Sequence, residues 1–221
     1  MREMAKHTLA ETSKWVARNL RKAEGVSKVE VLADQVLRVS RNKYDPFVAG
    51  IVSEKCVEAD TVRPLVKSKL GVEIIANVPK ESYWTGAALS LAEDNNIATG
   101  AYGDLLRVID LEDVRAFQTK ETEFVERCLH QHDRISVFER LYDRVYRISR
   151  NGLPKLTVVM LNEYELTADH LRTARERYGQ FSVAVITNPN GRATTSAHEA
   201  AQDLDVEILN WGPFLGRLNK K

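Results

Sequence analysis

Charged residues that could do chemistry recur along this chain at a fixed spacing of 109 positions. Carboxylates and guanidinium groups are the side chains with which proteins commonly bind cations and phosphates. Acids and arginines that occur twice are therefore the first candidates for a functional site. The repeated pairs are Asp34 and Asp143, Glu54 and Glu163, Asp60 and Asp169, and Arg63 and Arg172.

The first two acid pairs also have structural interpretations. Asp34 and Asp143 each stand between two runs of strand-forming residues, where aspartate is a common turn former. Turn formation and metal binding are equally open for them. Solvent-exposed strand ends would account for Glu54 and Glu163.

A helix would explain the other two pairs. Acids such as Asp60 and Asp169 are favoured in a first helical turn by the helix dipole. Arg63 and Arg172 follow these acids by three residues, a spacing at which helical side chains form ion pairs. An ion pair within the helix is the simplest interpretation of both arginines.

The repeat extends far beyond the charged residues. The segment Val36–Asn42, VLRVSRN, returns as VYRISRN at Val145–Asn151, and matches continue through most of each half. The arginine of each SRN triplet is interpreted as a strand-edge residue at a hairpin end rather than as a phosphate clamp. A period this long, present twice, favours a duplicated domain over a solenoid. We predict two tandem copies of one domain, over residues 1–110 and 111–221.

Apolar patterning predicts the same elements in both copies: a helix, three strands, a helix, a strand, a helix, a short strand and a final helix. The run Phe47–Ser53 is apolar on both faces and is predicted to be a central strand. Before the fourth strand the register is expected to slip, so that Asn77 matches Asn188. Strand–helix–strand units need parallel neighbours, while the first strands can form hairpins. Each copy is therefore predicted to be an α/β domain with a mixed central sheet flanked by helices.

Composition excludes several classes of protein. The 221 residues are 43% hydrophobic and 29% charged, which is typical of a soluble globular protein with one large or two smaller domains. The net charge of +1 lacks the bulk basicity of many nucleic-acid-binding proteins, although a local patch is compatible with it. Cys56 and Cys128 have no metal-ligand spacing, which favours a reduced, cytoplasmic setting. The chain start lacks the apolar core of a signal peptide, and no run has the length of a membrane span.

The order of elements, with one acid before the second strand and another after the third, resembles the restriction-endonuclease-like, or PD-(D/E)xK, superfamily. The most telling segment is Val183–Leu218, VAVITNPNGRATTSAHEAAQDLDVEILNWGPFLGRL. It is similar to the tail of Mrr-type restriction endonucleases and archaeal-type resolvases. In those proteins a strand ends in a polar turn, a helix of small residues follows, and a short strand and a helix close the domain. The segment Val72–Ile109 is a looser version of the same pattern.

This resemblance implies metal-dependent hydrolysis of phosphodiester bonds in DNA, in defence or repair. Such chemistry uses two carboxylates to hold Mg²⁺, which polarises the phosphate and lowers the pKa of the attacking water. A nearby cation stabilises the charge that builds on the phosphate. The resemblance places the first acid at Asp34 and Asp143 and the second at Glu54 and Glu163. These four residues are the expected metal ligands.

The sequence departs from the family at the catalytic cation. A full motif has an acid and a lysine two residues apart, which alternation puts on one face of a strand. In the first copy Lys55 stands two residues after Ser53 rather than after an acid, and the second copy has no lysine near Glu163. The phosphate-facing cation would then be Lys55 or Arg63 in the first copy and Arg172 in the second.

We therefore predict a nuclease-related protein that acts on DNA, with at least one of its two sites degraded. A duplicated chain offers the like surfaces of a homodimer, so the copies are expected to pack as a pseudo-dimer. The missing lysines favour an alternative, a non-catalytic module that keeps the fold to bind DNA or a protein partner. A third hypothesis is an assembly subunit without contact to nucleic acid.

Overall fold

The computed structural model describes residues 8–220. These residues divide into two compact units, with the boundary between Thr119 and Lys120. The expectation about a signal peptide rests partly on residues 1–7, which lie outside the described range. The division falls after Thr119 because the preceding segment packs on the first unit. Val114 is buried in that unit's core, and Arg115 donates a hydrogen bond of 2.8 Å to the carbonyl of Asn96.

The first unit contains one mixed five-stranded sheet. Its elements are α1 (Leu9–Leu20), β1 (Val26–Ala33), β2 (Val36–Arg41), β3 (Phe47–Val52), β4 (Cys56–Val57), α2 (Ala59–Lys67), β5 (Ile74–Asn77), β6 (Tyr83–Trp84), α3 (Gly86–Glu93), β7 (Ala98–Ala101), α4 (Tyr102–Arg107) and a 3-10 turn (Val108–Asp110). The strand order is β1-β2-β3-β5-β7, antiparallel over the first three strands and parallel over the last three. The short strands β4 and β6 form a separate parallel pair.

The second unit has a sheet of the same order and strand directions. Its elements are α5 (Lys120–His130), β8 (Ile135–Tyr142), β9 (Val145–Arg150), β10 (Leu153–Leu161), β11 (Glu165–Leu166), α6 (Ala168–Tyr178), β12 (Val183–Ile186), β13 (Arg192–Ala193), α7 (Thr195–Asp203), β14 (Glu207–Asn210) and α8 (Trp211–Arg217). The order is β8-β9-β10-β12-β14, with β11 and β13 as the separate pair. The prediction of an α/β architecture with mixed sheets flanked by helices is confirmed.

Every strand pair of the first unit recurs in the second at numbers 109 higher, and the second unit adds the pair of Leu153 with Arg150. Val52 lies opposite Asn77 in the first sheet, and Leu161 lies opposite Ile186 in the second. The predicted slip that matched Asn77 with Asn188 is therefore wrong. Asn188 follows the end of its strand, and the connections before β5 and β12 have the same total length even though α6 continues further than α2.

Helices cover both faces of the first sheet, so its central strand is buried on two sides. All six residues of β3 are buried, as its uniformly apolar sequence predicts. Alternate side chains point to opposite faces. Phe47 and Ile51 pack with Val16 of α1, while Val48 packs with Val62 of α2.

The arginine of each SRN triplet is a buried structural residue. Arg41 is 9% exposed and Arg150 is 5% exposed. The Nε of Arg41 donates to the carbonyl of Asp45 at 2.8 Å, and its Nη1 donates to the carbonyl of Val108 at 3.1 Å. In the second unit Arg150 donates in the same way to the carbonyls of Pro154 and of Lys220. Each guanidinium thus supplies donors to a hairpin loop and to the carbonyls that a helix leaves unpaired at its end.

No helix within residues 8–220 has both the length and the apolar character that a membrane span requires.

Candidate functional site

The two predicted acids of the first unit lie at the same end of neighbouring strands. Asp34 is in the two-residue turn between β1 and β2, and Glu54 follows β3. Because β2 and β3 are antiparallel, the start of one lies beside the end of the other. The N–H of Ile51 donates to the carbonyl of Gln35 at 2.7 Å, which extends this pairing into the turn. The register therefore brings the main chains of the two acids to one end of the sheet.

The same arrangement recurs in the second unit. Asp143 is in the turn between β8 and β9, and Glu163 follows β10. The N–H of Met160 donates to the carbonyl of Arg144 at 2.8 Å, which is the equivalent of the bond from Ile51 to Gln35 in the first unit. Topology alone does not distinguish the two units.

The acids of the first unit are open to solvent. Asp34, Glu54 and Lys55 are all exposed, and no described residue forms a side-chain hydrogen bond or an ion pair with either carboxylate. The main chain of Glu54 is fixed by the fully buried amide of Asn77, which accepts from its N–H at 3.0 Å and donates to its carbonyl at 2.8 Å. This amide continues the pairing of β3 with β5 beyond the last strand residue.

The first acid of the second unit is surrounded by protein. Asp143 is half-buried, and its Oδ1 accepts a hydrogen bond from the hydroxyl of Tyr178 at 3.3 Å. The Arg140 guanidinium donates to the Asp143 main-chain carbonyl at 2.9 Å. Burial raises the pKa of Asp143, and the charges of Arg144 and Arg140 together with the Tyr178 hydrogen bond only partly oppose this rise.

The second acid of this unit is also engaged. A carboxylate oxygen of Glu163 lies 3.8 Å from Nε2 of His170, on the first turn of α6. The Nδ1 of His170 accepts the N–H of Thr167 at 3.2 Å. Because Nδ1 is an acceptor, the ring proton of a neutral His170 is on Nε2, where it faces Glu163.

The two candidate arginines pair within their own helices. Arg63 lies 3.3 Å from the carboxylate of Asp60, and Arg172 lies 3.7 Å from that of Asp169. The interpretation of both as intrahelical ion pairs is confirmed. Within residues 8–220, neither guanidinium forms a hydrogen bond or an ion pair with the acids at the strand ends.

Sequence reasoning missed one acid. The Oε1 of Glu121 accepts a hydrogen bond of 2.6 Å from the hydroxyl of Thr187, and its Oε2 accepts one of 3.4 Å from the amide of Asn162. These partners follow the carboxyl ends of β12 and β10, the part of a parallel sheet where ligands commonly bind. The matching position in the first unit holds Thr12, so a search for repeated acids cannot find Glu121. Its place in the first turn of a helix next to the sheet was the only available signal.

Replacing Asp143 with asparagine is expected to stabilise the protein at pH 7. The pKa of Asp143 is raised above its ordinary value of 3.8 in the folded state, so its protonated form favours folding below that value. This contribution is lost as pH rises through the folded-state pKa. An asparagine stays neutral and can still accept from Tyr178.

The measurement is thermal unfolding of wild type and Asp143→Asn at pH 7 and at pH 3. We expect a higher Tm for the variant at pH 7 and a smaller difference at pH 3. The exposed Asp34→Asn is the matched control, expected to change stability by less than about 0.5 kcal/mol. An equal effect of Asp143→Asn at both pH values would contradict the burial argument.

Comparison of the chain with protein-family models, with curated proteins and with solved structures finds no match.

Proposed function

We propose that this chain is a tandem duplication of a restriction-endonuclease-like domain that acts on DNA, and that the first unit hydrolyses phosphodiester bonds with a bound divalent metal. The observation that carries the proposal is the position of Asp34 and Glu54. Their main chains lie at one end of an antiparallel strand pair, and their side chains are exposed and unpaired with any described residue.

The duplication is supported by the strand register. Every paired position of the first sheet has a partner pair 109 residues later, including the irregularities of the first hairpin. A buried arginine at the matching position of each unit, Arg41 or Arg150, donates hydrogen bonds to main-chain carbonyls at the end of that unit. Two unrelated domains of one architecture would differ in loop lengths and bulges, whereas copies of one domain keep them.

The donor set of the first unit fits Mg²⁺. This ion is commonly held by one or two carboxylates together with waters and substrate phosphates. Asp34 and Glu54 would hold it, and Asn77 would keep Glu54 in position through its main chain. A bound Mg²⁺ would polarise the scissile phosphate and lower the pKa of the attacking water. Lys55, exposed beside Glu54, is the cation available to the phosphate in this unit.

The second unit fits a metal less well. Asp143 is held by Tyr178 in a site that disfavours its charge, and Glu163 faces His170. A metal would have to displace both of these interactions. We propose that this unit is the degraded one.

Cleavage of plasmid and branched DNA with Mg²⁺ or Mn²⁺ tests the proposal. Asp34→Asn and Glu54→Gln are each expected to reduce cleavage about a hundredfold or more, because removing a group that holds a metal costs at least as much as removing the groups that support it. The duplication supplies matched controls: Asp143→Asn and Glu163→Gln remove the same groups from the second unit and should leave the rate nearly unchanged. Equal rates in wild type and all four variants, or no cleavage with either metal, would contradict a catalytic first unit.

A non-catalytic module that binds DNA is the second candidate. It is favoured by the two arginines, which pair with Asp60 and Asp169 instead of facing the acids. Salt-dependent binding of DNA without cleavage would identify this case.

A further inference from the structure

Three adjacent strands of the second sheet end beside one another, and the residues that follow them are polar or aromatic. β10, β12 and β14 are parallel neighbours, and Asn162, Thr187 and Trp211 follow them directly. The N–H of Thr187 donates to the carbonyl of Leu161 at 3.0 Å, which continues the pairing of β10 with β12 past the strand end. The three residues therefore stand side by side at the carboxyl edge of the sheet, where ligands commonly bind.

Helix α5 meets this edge with a carboxylate and an aromatic ring. Glu121 accepts the hydrogen bonds of 2.6 Å from Thr187 and 3.4 Å from Asn162. One turn later, the ring centre of Phe124 lies 5.0 Å from that of Trp211. Because residues three apart lie on one face of a helix, the carboxylate and the two rings form one continuous surface. We call Glu121, Phe124 and Trp211 the acid–aromatic site.

The carboxylate of this site has no positive partner in the chain. Both hydrogen bonds to Glu121 come from neutral groups, and within residues 8–220 the side chain forms no ion pair. Glu121 is half-buried, so part of its hydration is lost and a cation would compensate for that loss. Each carboxylate oxygen has a second lone pair that can accept another hydrogen bond. Phe124 is 37% exposed, which leaves part of its ring open to the same ligand.

The first unit has the aromatic pair without the acid. Its rings, Trp15 and Tyr102, are also 5.0 Å apart. Thr12 and Val78 occupy the positions that hold the carboxylate and its bonded hydroxyl in the second unit. The fold and the aromatic contact therefore form without this carboxylate, so packing does not explain its presence.

We propose that the acid–aromatic site binds a guanidinium group, such as that of an arginine side chain. A guanidinium presents a fork of N–H donors to the two oxygens of a carboxylate, and its planar face packs on aromatic rings. A divalent metal would find a single carboxylate here and would make no use of the rings. A neutral ligand would leave the charge of Glu121 uncompensated. This site goes beyond the proposed function and depends on neither DNA nor hydrolysis.

Titration of the full chain with N-acetylarginine amide tests the site, followed by NMR of the tryptophan indole N–H signals. The signal that Trp211→Phe removes should shift and reach saturation. N-acetylcitrulline amide, which has a neutral urea in place of the guanidinium, should shift it little. The signal of Trp15 reports on the aromatic pair that lacks the carboxylate, and it should stay unchanged. Free L-arginine identifies the source of the ligand: tighter binding than the capped form supports a small molecule, and equal or weaker binding supports an arginine residue of a protein partner.

Two variants separate the contributions of charge and ring. Glu121→Gln keeps an acceptor for Thr187 but removes the charge, and it is expected to weaken binding about tenfold or more, because hydrogen bonds to charged groups are the stronger ones. Phe124→Leu removes the ring face and should weaken binding several-fold. The matched control is Glu123→Gln, which removes an exposed acid of the same helix that pairs with Arg127. It should leave the affinity unchanged.

Several results would overturn the proposal. These are the absence of a saturable shift with capped arginine, an equal shift with capped citrulline, and equal affinity of wild type and Glu121→Gln. A loss in Glu123→Gln as large as that in Glu121→Gln would do the same, since it would indicate general attraction to an acidic helix. Equal affinity for N-acetyllysine amide would overturn the assignment to a guanidinium. Dispersed NMR spectra verify that the variants are folded, and the comparison of arginine with citrulline on the wild-type chain decides the question if a variant is not.

Discussion

Replacing Arg150 with leucine is expected to lower the free energy of unfolding of the second unit by about 3 kcal/mol or more, because each hydrogen bond from a charged donor contributes about 1.5–3 kcal/mol. Arg150 is 5% exposed and donates to the carbonyls of Pro154 and Lys220, each at 2.6 Å. Burial lowers the pKa of its guanidinium, but these carbonyls keep the group bonded. Leucine fills the space without supplying a donor, so the carbonyls of Arg217 and Leu218 at the end of α8 lose the donor that Arg150 provides.

Hydrogen–deuterium exchange of the full chain in urea measures this effect, because peptides from each unit are followed separately. Arg150→Leu should reduce protection in the second unit, and Arg41→Leu should reduce it in the first. Arg150→Lys keeps the charge but not the planar fork, so an intermediate loss is expected. Unchanged protection of the second unit in Arg150→Leu would show that the arginine is dispensable.

Replacing Arg140 with valine is expected to destabilise the second unit by about 3–5 kcal/mol, the usual result of removing one member of a buried ion pair. Arg140 is paired with Glu126 at 3.3 Å, and their side chains are only 17% and 20% exposed. The hydroxyl of Tyr146 also donates to Glu126, at 3.2 Å. Without Arg140 the partly buried carboxylate of Glu126 loses its charged partner but keeps the Tyr146 hydroxyl.

The first unit shows how the same fold forms without this network. The triple variant Glu126→Ala/Arg140→Val/Tyr146→Leu carries the residues that the first unit has at all three positions. It is expected to recover most of the stability, since an apolar replacement of a whole buried ionic group is commonly neutral or stabilising. Urea unfolding followed by circular dichroism compares the variants. Arg127→Gln, which breaks an exposed pair with Glu123, is the control and should cost less than about 1 kcal/mol. A triple variant as unstable as Arg140→Val would contradict the ion-pair explanation.

The elements of this fold were predictable where residue periodicity fixes them. The six residues of β3 are apolar without alternation, and burial of the strand on both faces is the arrangement that removes all of them from water. The helical ion pairs of Arg63 and Arg172 were predictable for a similar reason, since three residues is a spacing set by the helix itself. Such features depend on residues close together in the chain.

The alignment of the two halves of the chain was predicted less well. Two apolar runs end in Asn77 and Asn188, and matching them suggested a slip of register. In the structure Ile186 pairs with Leu161, just as Asn77 pairs with Val52 in the first unit. The residue equivalent to Asn77 is therefore Ile186. Only the pairing of strands decides which residues are equivalent, because the identity of a single residue at a strand end is a weak constraint.

The sequence by itself determined the repeat, the mixed α/β architecture and the position of the acids at strand ends. Only the tertiary structure decided what those acids experience. Asp34 and Asp143 stand in the same turn of the same fold, yet the first is exposed and the second is bonded to Tyr178. Glu121 reaches Thr187 although 66 positions separate them. The environment of a side chain depends on neighbours contributed by distant segments, and periodicity along the chain carries no information about which segments those are.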